Sequence, residues 1–216
     1  MNSLKRVSEL VFAGPATPEQ LTEFKKIFLK SAFNSSALQP NDDWITFTNQ
    51  NEQYQLTISP HKDLQHTWYA RRIDPLYIRY TSLAEYNKQA EKMFAEKSFY
   101  GIKDADGLRS LVNQVKQGGF GVDYFYPSIL RMAAYYWYTI ATKQMFNNGN
   151  KRTAFVVALA FLKNNGYSLN NLSTDDLYQT SMTLARSEMS YEELLAFLQQ
   201  RVRINPNWNT ETLRKE

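Results

Sequence analysis

A short loop near the middle of the chain carries residue types that bind anions. Gly149 permits a tight turn, and Asn150, Lys151 and Arg152 follow it directly at the start of an apolar segment. The first backbone N–H groups of a helix lack partners within the helix, and the helix dipole is positive at that end. Lysine and arginine add positive charge and hydrogen-bond donors at the same point. These residues predict an anion-binding loop at a helix N-terminus.

The alternative is a loop without function. Asn147, Asn148 and Gly149 are turn-forming residues, and on their own they indicate only a connection between two helices. The basic pair that follows and the surrounding segments favour a functional loop, because a motif gains weight from its structural context.

The elements that position the loop are two predicted helices. The segment from 151 to 165 is apolar nearly all round, which is typical of a helix at the centre of a bundle, and Gly166 is placed to cap its C-terminus. The preceding helix is predicted to begin at Pro127 and to extend to about Phe146. The loop is therefore expected to have a buried and rigid support.

The rest of the chain predicts a mainly α protein with a small N-terminal α+β module. A helix is predicted to start at Thr17, and alternating apolar and polar residues between 45 and 58 indicate a β-hairpin, with a third strand at 67–73. Later residues have helical spacing, and Ser173 and Ser190 begin two of the predicted helices. The chain is predicted to have three parts: an α+β module at 1–75, a helical domain at 76–204 and a C-terminal tail at 205–216.

Composition limits the classes of function. The 216 residues include no cysteine, which excludes disulfides, thiolate catalysis and cysteine-bound zinc. The net charge of +4 suits a phosphate ligand or an acidic partner, but the basic residues are too dispersed to indicate specific nucleic-acid binding. No apolar run approaches the roughly 18 residues of a membrane-spanning helix. The expectation is a soluble, cytoplasmic protein without a membrane partner.

The loop resembles the central motif of the Fic/Doc (Fido) family. Phe146, Gly149, Asn150 and Arg152 match the family pattern His-x-Phe-x-(Asp/Glu)-(Gly/Ala)-Asn-(Gly/Lys)-Arg, and Lys151 is the Doc-like choice at its position. Three further segments resemble Doc proteins in the same order along the chain: 101–108, 126–128 and 161–167. The resemblance thus covers roughly residues 76 to 203.

The resemblance implies a Fic-type helical bundle that binds ATP or another nucleoside triphosphate, with Mg²⁺ as a possible metal ion. Family members transfer AMP, or in Doc a phosphate, to a hydroxyl group of a target protein. By this comparison Gly149 and the adjacent backbone would cradle phosphates, Asn150 and Arg152 would bind phosphate oxygens, and Lys151 would add charge. Phe146 would anchor the loop in the core.

The resemblance also implies protein partners. A target protein or an antitoxin-like partner is expected, as in toxin–antitoxin pairs. The segment from Gln117 to Tyr124 stands where the family has a flap that aligns the target peptide.

Two positions depart from the family pattern. Gln144 stands where the family has its catalytic histidine, and Asn148 stands where it has a magnesium-binding carboxylate. A primary amide cannot take a proton from a hydroxyl group near neutral pH, and general base catalysis is typically worth about 10²–10⁴-fold in rate. An amide oxygen also lacks the negative charge that Mg²⁺ prefers. Gln144 is therefore predicted as an impaired catalytic position and Asn148 as a weak metal position.

Three functional hypotheses follow. In the first, a Doc-like protein keeps its phosphate-binding loop but is weak or inactive in AMP or phosphate transfer. In the second, a toxin-like nucleotidyl- or phosphotransferase remains active, with Gln144 orienting the hydroxyl group while a partner or a substrate phosphate takes the proton. In the third, the chain is a protein-interaction module that uses residues 1–74 and binds no nucleotide.

Overall fold

The computed structural model describes residues 4–32, 45–50, 53–61, 64–94, 99–117 and 125–204. Within these ranges the chain forms seven α-helices and six β-strands, which confirms a mainly α fold with a small α+β part. The helices are α1 (Pro18–Ala32), α2 (Tyr80–Phe94), α3 (Ala105–Lys116), α4 (Ile129–Thr142), α5 (Asn150–Asn164), α6 (Thr174–Ala185) and α7 (Tyr191–Arg201). The strands are β1 (Leu4–Ala13), β2 (Ile45–Gln50), β3 (Gln53–His61), β4 (Leu64–Ile73), β5 (Tyr167–Leu169) and β6 (Val202–Ile204).

Two predicted features lie outside the described residues. They are positions 118–124 of the predicted flap and the predicted tail at 205–216. Among the residues that the structure does describe, no helix is both long enough and apolar enough to span a membrane.

The N-terminal sheet has the strand order β1-β4-β3-β2. The predicted hairpin is confirmed as the antiparallel pair β2 and β3, and the predicted third strand is confirmed as β4, which pairs antiparallel with β3. Strand β1 was not predicted, although Leu10 and Phe12 face the core in the alternating pattern of a half-buried strand. It pairs in parallel with β4, a partner far away in the chain.

Helix α1 packs against the sheet on one face and against the helical bundle on another. Phe24 and Phe28 belong to the core beneath the sheet, and the ring of Phe24 stacks on that of Phe12 at 4.0 Å. Ile27 belongs instead to the core of the bundle. The division of the chain at residue 75 stays a prediction, and α1 contributes side chains to the cores on both sides of it.

Helix α1 also caps the N-terminus of α4. The side-chain oxygen of Gln20 accepts the N–H of Ile129 at 2.7 Å, and Glu23 Oε1 accepts the N–H of Leu130 at 3.1 Å. Ser128 Oγ donates to Glu23 Oε2 at 2.7 Å. The bonds to Ile129 and Leu130 satisfy N–H groups that have no partner within α4. Side chains from α1 therefore hold the start of the helix that leads to the predicted loop.

The buried carboxyl group of Glu23 is expected to make stability depend on pH. Burial raises the pKa of Glu23 from 4.5 to about 7, although hydrogen bonds from Ser128 and Leu130 act in the opposite direction. Between these pH values the folded state keeps a proton that the unfolded chain has released. Stability from this group is therefore full below pH 4.5 and is lost as the pH rises to about 7, by about 3 kcal/mol in total.

The measurement is urea unfolding of the wild type and of Glu23→Gln across this pH range. The variant cannot ionise at this position, so its free energy of unfolding should vary less with pH. Glu85→Gln, an exposed change on α2, is the matched control and should keep the wild-type slope. If the free energies of unfolding of the wild type and of Glu23→Gln had equal slopes against pH, Glu23 would not be the source of the pH dependence.

Helices α4 and α5 form the centre of the bundle. Trp137 on α4 is fully buried and donates its indole N–H to Ser181 Oγ at 2.7 Å. Helix α5 ends at Asn164, and Gly166 has a φ of 85°, which confirms its capping position.

Helix α4 ends at Thr142, four residues before the predicted end. The prediction was wrong there because buried apolar residues continue into the following loop.

Candidate functional site

The loop from 143 to 149 is fastened to the segment that precedes α3. The N–H of Lys103 donates to the carbonyl oxygen of Met145 at 2.9 Å, and the N–H of Asn147 donates to that of Gly101 at 2.9 Å. Phe146, between these bonds, is only 1% exposed. Its burial is what the predicted anchor role requires.

The side chain of Asn150 closes the loop on itself. Its Oδ1 accepts the N–H of Phe146 at 2.8 Å, and its Nδ2 donates to the carbonyl oxygen of Phe146 at 2.8 Å. One of the two Nδ2 hydrogens is used in this way. A phosphate contact from Asn150 would therefore come from its backbone N–H or from the other Nδ2 hydrogen.

Gly149 begins helix α5 in a left-handed conformation, with φ 75° and ψ 14°. Its carbonyl oxygen accepts the N–H of Thr153 at 2.8 Å, the first hydrogen bond of the helix. A Cβ atom at this position would lie 2.6 Å from Cε1 of Tyr100 and 3.3 Å from Nδ2 of Asn87. Glycine is therefore required both by the backbone conformation and by the closeness of its neighbours.

Replacing Gly149 with alanine is expected to lower the free energy of unfolding by about 2–4 kcal/mol, from left-handed strain and collision together. Urea denaturation measures the loss. The matched comparison is Tyr100→Ala alone and in combination with Gly149→Ala, because removing the ring removes the collision. The double variant should then lose less than the sum of the two single losses, by about 1 kcal/mol. Strictly additive losses would show that the ring does not press on this position.

The buried side chain of Asn87 joins four parts of the site. It is 1% exposed. Its Nδ2 donates to the carbonyl oxygen of Asn148 at 3.0 Å and to Thr153 Oγ1 at 2.9 Å. Its Oδ1 accepts the N–H of Gly101 at 2.9 Å. Asn87 thus connects α2, the segment before α3, the loop and α5.

Sequence reasoning missed Asn87. It lies between Leu83 and Ala90 on the buried face of α2, at the i, i+4, i+7 spacing of that face. A polar residue in such a position must find hydrogen-bond partners, and this was the available signal. The partners themselves are distant in sequence and could not be read from it.

Arg152 places a guanidinium group beside the loop from within the bundle. The residue is 8% exposed, and its Nη1 donates to the hydroxyl group of Tyr100 at 3.0 Å. The same tyrosine ring borders Gly149. Lys151 is more exposed than Arg152. The two cations therefore occupy the first turn of α5, with the arginine held in place by Tyr100.

A cleft of about 410 Å³ lies over the loop and the first turn of α5. Every predicted site residue except Phe146 lines it. A further side of the cleft comes from Tyr178 on α6, which sequence reasoning did not identify. The lining residues are Ala141, Thr142, Gln144, Asn147, Asn148, Gly149, Asn150, Lys151, Arg152, Tyr178 and Ala185.

The charge in this cleft is of one sign. Among the described residues that line it, Lys151 and Arg152 are cationic and none is acidic or a histidine. His66 lies instead on β4, where its Nε2 is 2.8 Å from Ser8 Oγ and its ring stacks on Trp68. His61 ends β3. The cleft can therefore attract an anion, but its described lining offers no imidazole to take a proton.

The residues of the cleft do not fit a magnesium ion. Asn148 Oδ1 is uncharged and accepts the N–H of Gly149 at 2.7 Å. Asp104 lies next to the loop, because its N–H donates to the carbonyl oxygen of Met145. Its carboxylate accepts the N–H of Gly107 at 2.8 Å at the start of α3. Across the described ranges no group of three or more His, Cys, Asp or Glu residues could hold a metal ion. Mg²⁺ prefers carboxylate oxygens, and none lines this cleft.

The segment that contains the loop is similar to a known protein family. The model of the Fic/DOC family matches residues 63–162. No curated protein shows significant similarity to the chain. The matched range contains α2, α3, α4, the whole loop and most of α5. Residues 63–162 of this chain match the Fic/DOC family, and the loop and most of the residues that line its cleft lie inside the matched range.

Proposed function

We propose that this Fic/DOC-family protein binds the phosphate groups of a nucleotide, ATP being the favoured ligand, and transfers AMP or phosphate to protein hydroxyl groups weakly or not at all. One observation carries the proposal. Lys151 and the largely buried Arg152 bring two positive charges to a cleft whose described lining has no acidic side chain. Phosphate groups are among the anions that bind at helix N-termini of this kind.

The backbone supports the same ligand. The N–H groups of residues 150–152 belong to the first turn of α5, where no preceding helical carbonyl group can accept them. Gly149 starts the helix in a left-handed conformation, which brings these N–H groups directly after the turn of the loop. A guanidinium group can hold two phosphate oxygens at once, and Lys151 adds a second, more exposed charge.

The proposed weakness in transfer follows from proton chemistry. A hydroxyl group that attacks phosphorus must lose its proton, and a positioned base normally takes it. Gln144 is exposed at the edge of the cleft, and its amide can donate or accept a hydrogen bond but cannot take the proton. A loss of about 10²–10⁴-fold in transfer rate is expected relative to a site with a base. The proposal also includes a protein partner, which would be either a target protein or an antitoxin-like protein.

Calorimetric titration of ATP into the full chain tests the proposal. Saturable binding with a stoichiometry of one is expected. The absence of binding by ATP, ADP and pyrophosphate alike would overturn it and would favour an interaction module without nucleotide.

A separate assay addresses transfer. The protein is incubated with a host lysate and ATP labelled at either the α or the γ phosphate. Little or no label on protein is expected. Strong labelling that disappears in the Arg152→Ala variant would establish an active transferase and contradict the proposed weakness.

A further inference from the structure

We infer that the cleft binds its phosphate ligand as the metal-free anion, and that Mg²⁺ weakens this binding. The inference rests on the proposed function and specifies the ionic form of the ligand. The family resemblance implies a magnesium ion, but the donor atoms that surround the loop do not suit one.

Both oxygen atoms of Asn148 already accept hydrogen bonds. Its carbonyl oxygen accepts a hydrogen bond from Nδ2 of the buried Asn87 at 3.0 Å, and its Oδ1 accepts one from the N–H of Gly149 at 2.7 Å. A metal ion at this position would have to compete with these donors for an oxygen that carries no formal charge. Mg²⁺ gives up its water ligands reluctantly, and a neutral amide is a poor replacement for them.

The charges of the cleft favour the same conclusion. Lys151 and Arg152 supply the positive charge that a magnesium ion would otherwise bring to a polyphosphate. Mg²⁺ bound to ATP cancels part of the negative charge that these side chains attract. A magnesium ion would also lie close to two cations with no acidic residue in the described lining to offset the repulsion. The metal-free polyphosphate is therefore the better ligand.

The test is calorimetric titration of ATP in EDTA and in excess Mg²⁺, at constant ionic strength. The affinity should be at least about tenfold higher in EDTA, a difference that titration resolves easily. AMP, which binds Mg²⁺ weakly, is the control ligand, and its affinity should be nearly the same in the two buffers.

Two matched variants separate a metal effect from a general charge effect. Asn148→Asp restores a carboxylate whose oxygen can still accept the N–H of Gly149, and ATP should then bind more tightly with Mg²⁺ than without it. Asn147→Asp adds the same charge to a neighbouring residue of the lining and should weaken ATP binding without reversing the effect of Mg²⁺. Thermal unfolding of both variants verifies that they fold.

The outcomes distinguish the inference from the proposed function. Equal or tighter binding of ATP by the wild type in Mg²⁺ would overturn the inference and leave nucleotide binding in place. Failure of the wild type to bind ATP in either buffer would overturn the proposed function itself. Weaker binding in Mg²⁺, with reversal in Asn148→Asp alone, supports both.

Discussion

Replacing Asn87 with alanine is expected to lower the free energy of unfolding by about 3–4 kcal/mol, the largest loss of stability predicted for the site. The change deletes three hydrogen bonds at once. It also leaves the hydroxyl group of Thr153, the carbonyl oxygen of Asn148 and the N–H of Gly101 without this partner. Such groups cost most when they are buried, and Thr153 is fully buried.

Urea denaturation measures this loss, and Gln89→Ala is the matched control. Gln89 is exposed on the same helix, so its replacement should change stability by no more than about 0.5 kcal/mol. Hydrogen exchange at the amide of Gly101 gives a local readout, because that N–H loses its acceptor in Asn87→Ala. A loss below about 1 kcal/mol with unchanged exchange at Gly101 would show that other contacts hold the loop.

The second large effect concerns the ligand. Arg152→Ala is expected to weaken ATP binding by roughly 10–100-fold, because charge-assisted hydrogen bonds are worth about 1.5–3 kcal/mol. The ATP affinity of Arg152→Lys should fall between those of Arg152→Ala and the wild type, since lysine keeps the charge but lacks the planar pair of donors. Tyr100→Phe removes the hydroxyl group that accepts Nη1 and should weaken binding only a few-fold.

Calorimetry at a temperature well below the unfolding midpoint of each variant measures these affinities. Lys163→Ala removes an exposed lysine from the other end of α5 and is the matched control, with an affinity expected to equal that of the wild type. An Arg152→Ala protein that is folded and binds ATP as tightly as the wild type would remove the arginine from the proposed site.

Local patterns in the sequence were sufficient for several elements. The hairpin of β2 and β3 follows from alternation in adjacent segments, and the starts of α6 and α7 follow from the capping boxes at Ser173 and Ser190. The loop residues from Gly149 to Arg152 could be found because one short segment holds them all. Each of these signals spans only a few residues.

The parts that could not be predicted depend on contacts between distant segments. Strand β1 finds its parallel partner only after the sheet is assembled. Gln20 and Glu23 look like ordinary polar residues of an amphipathic helix until α4 supplies the N–H groups that they cap. Tyr178 reaches the cleft because α6 packs beside α5. Spacing along the chain contains none of this information.

The early end of α4 shows how burial can mislead a prediction based on hydrophobic pattern. Met145 and Phe146 are 3% and 1% exposed, values typical of a helix interior. They lie in a loop, where the carbonyl oxygen of Met145 accepts the N–H of Lys103 and the N–H of Met145 donates to Lys143, two residues earlier, instead of four residues earlier as in an α-helix. Apolar residues therefore indicated the core correctly and the secondary structure incorrectly. One consequence is that Gln144 lies in the loop instead of on α4.

A crystal structure of the full chain with ATP, grown in EDTA, tests the central claim most directly. The claim predicts phosphate density over Gly149 to Arg152, with oxygens in contact with the N–H groups of residues 150–152 and with the Arg152 guanidinium group. ATP bound elsewhere, or a cleft without phosphate density at an ATP concentration that saturates binding in solution, would contradict the claim.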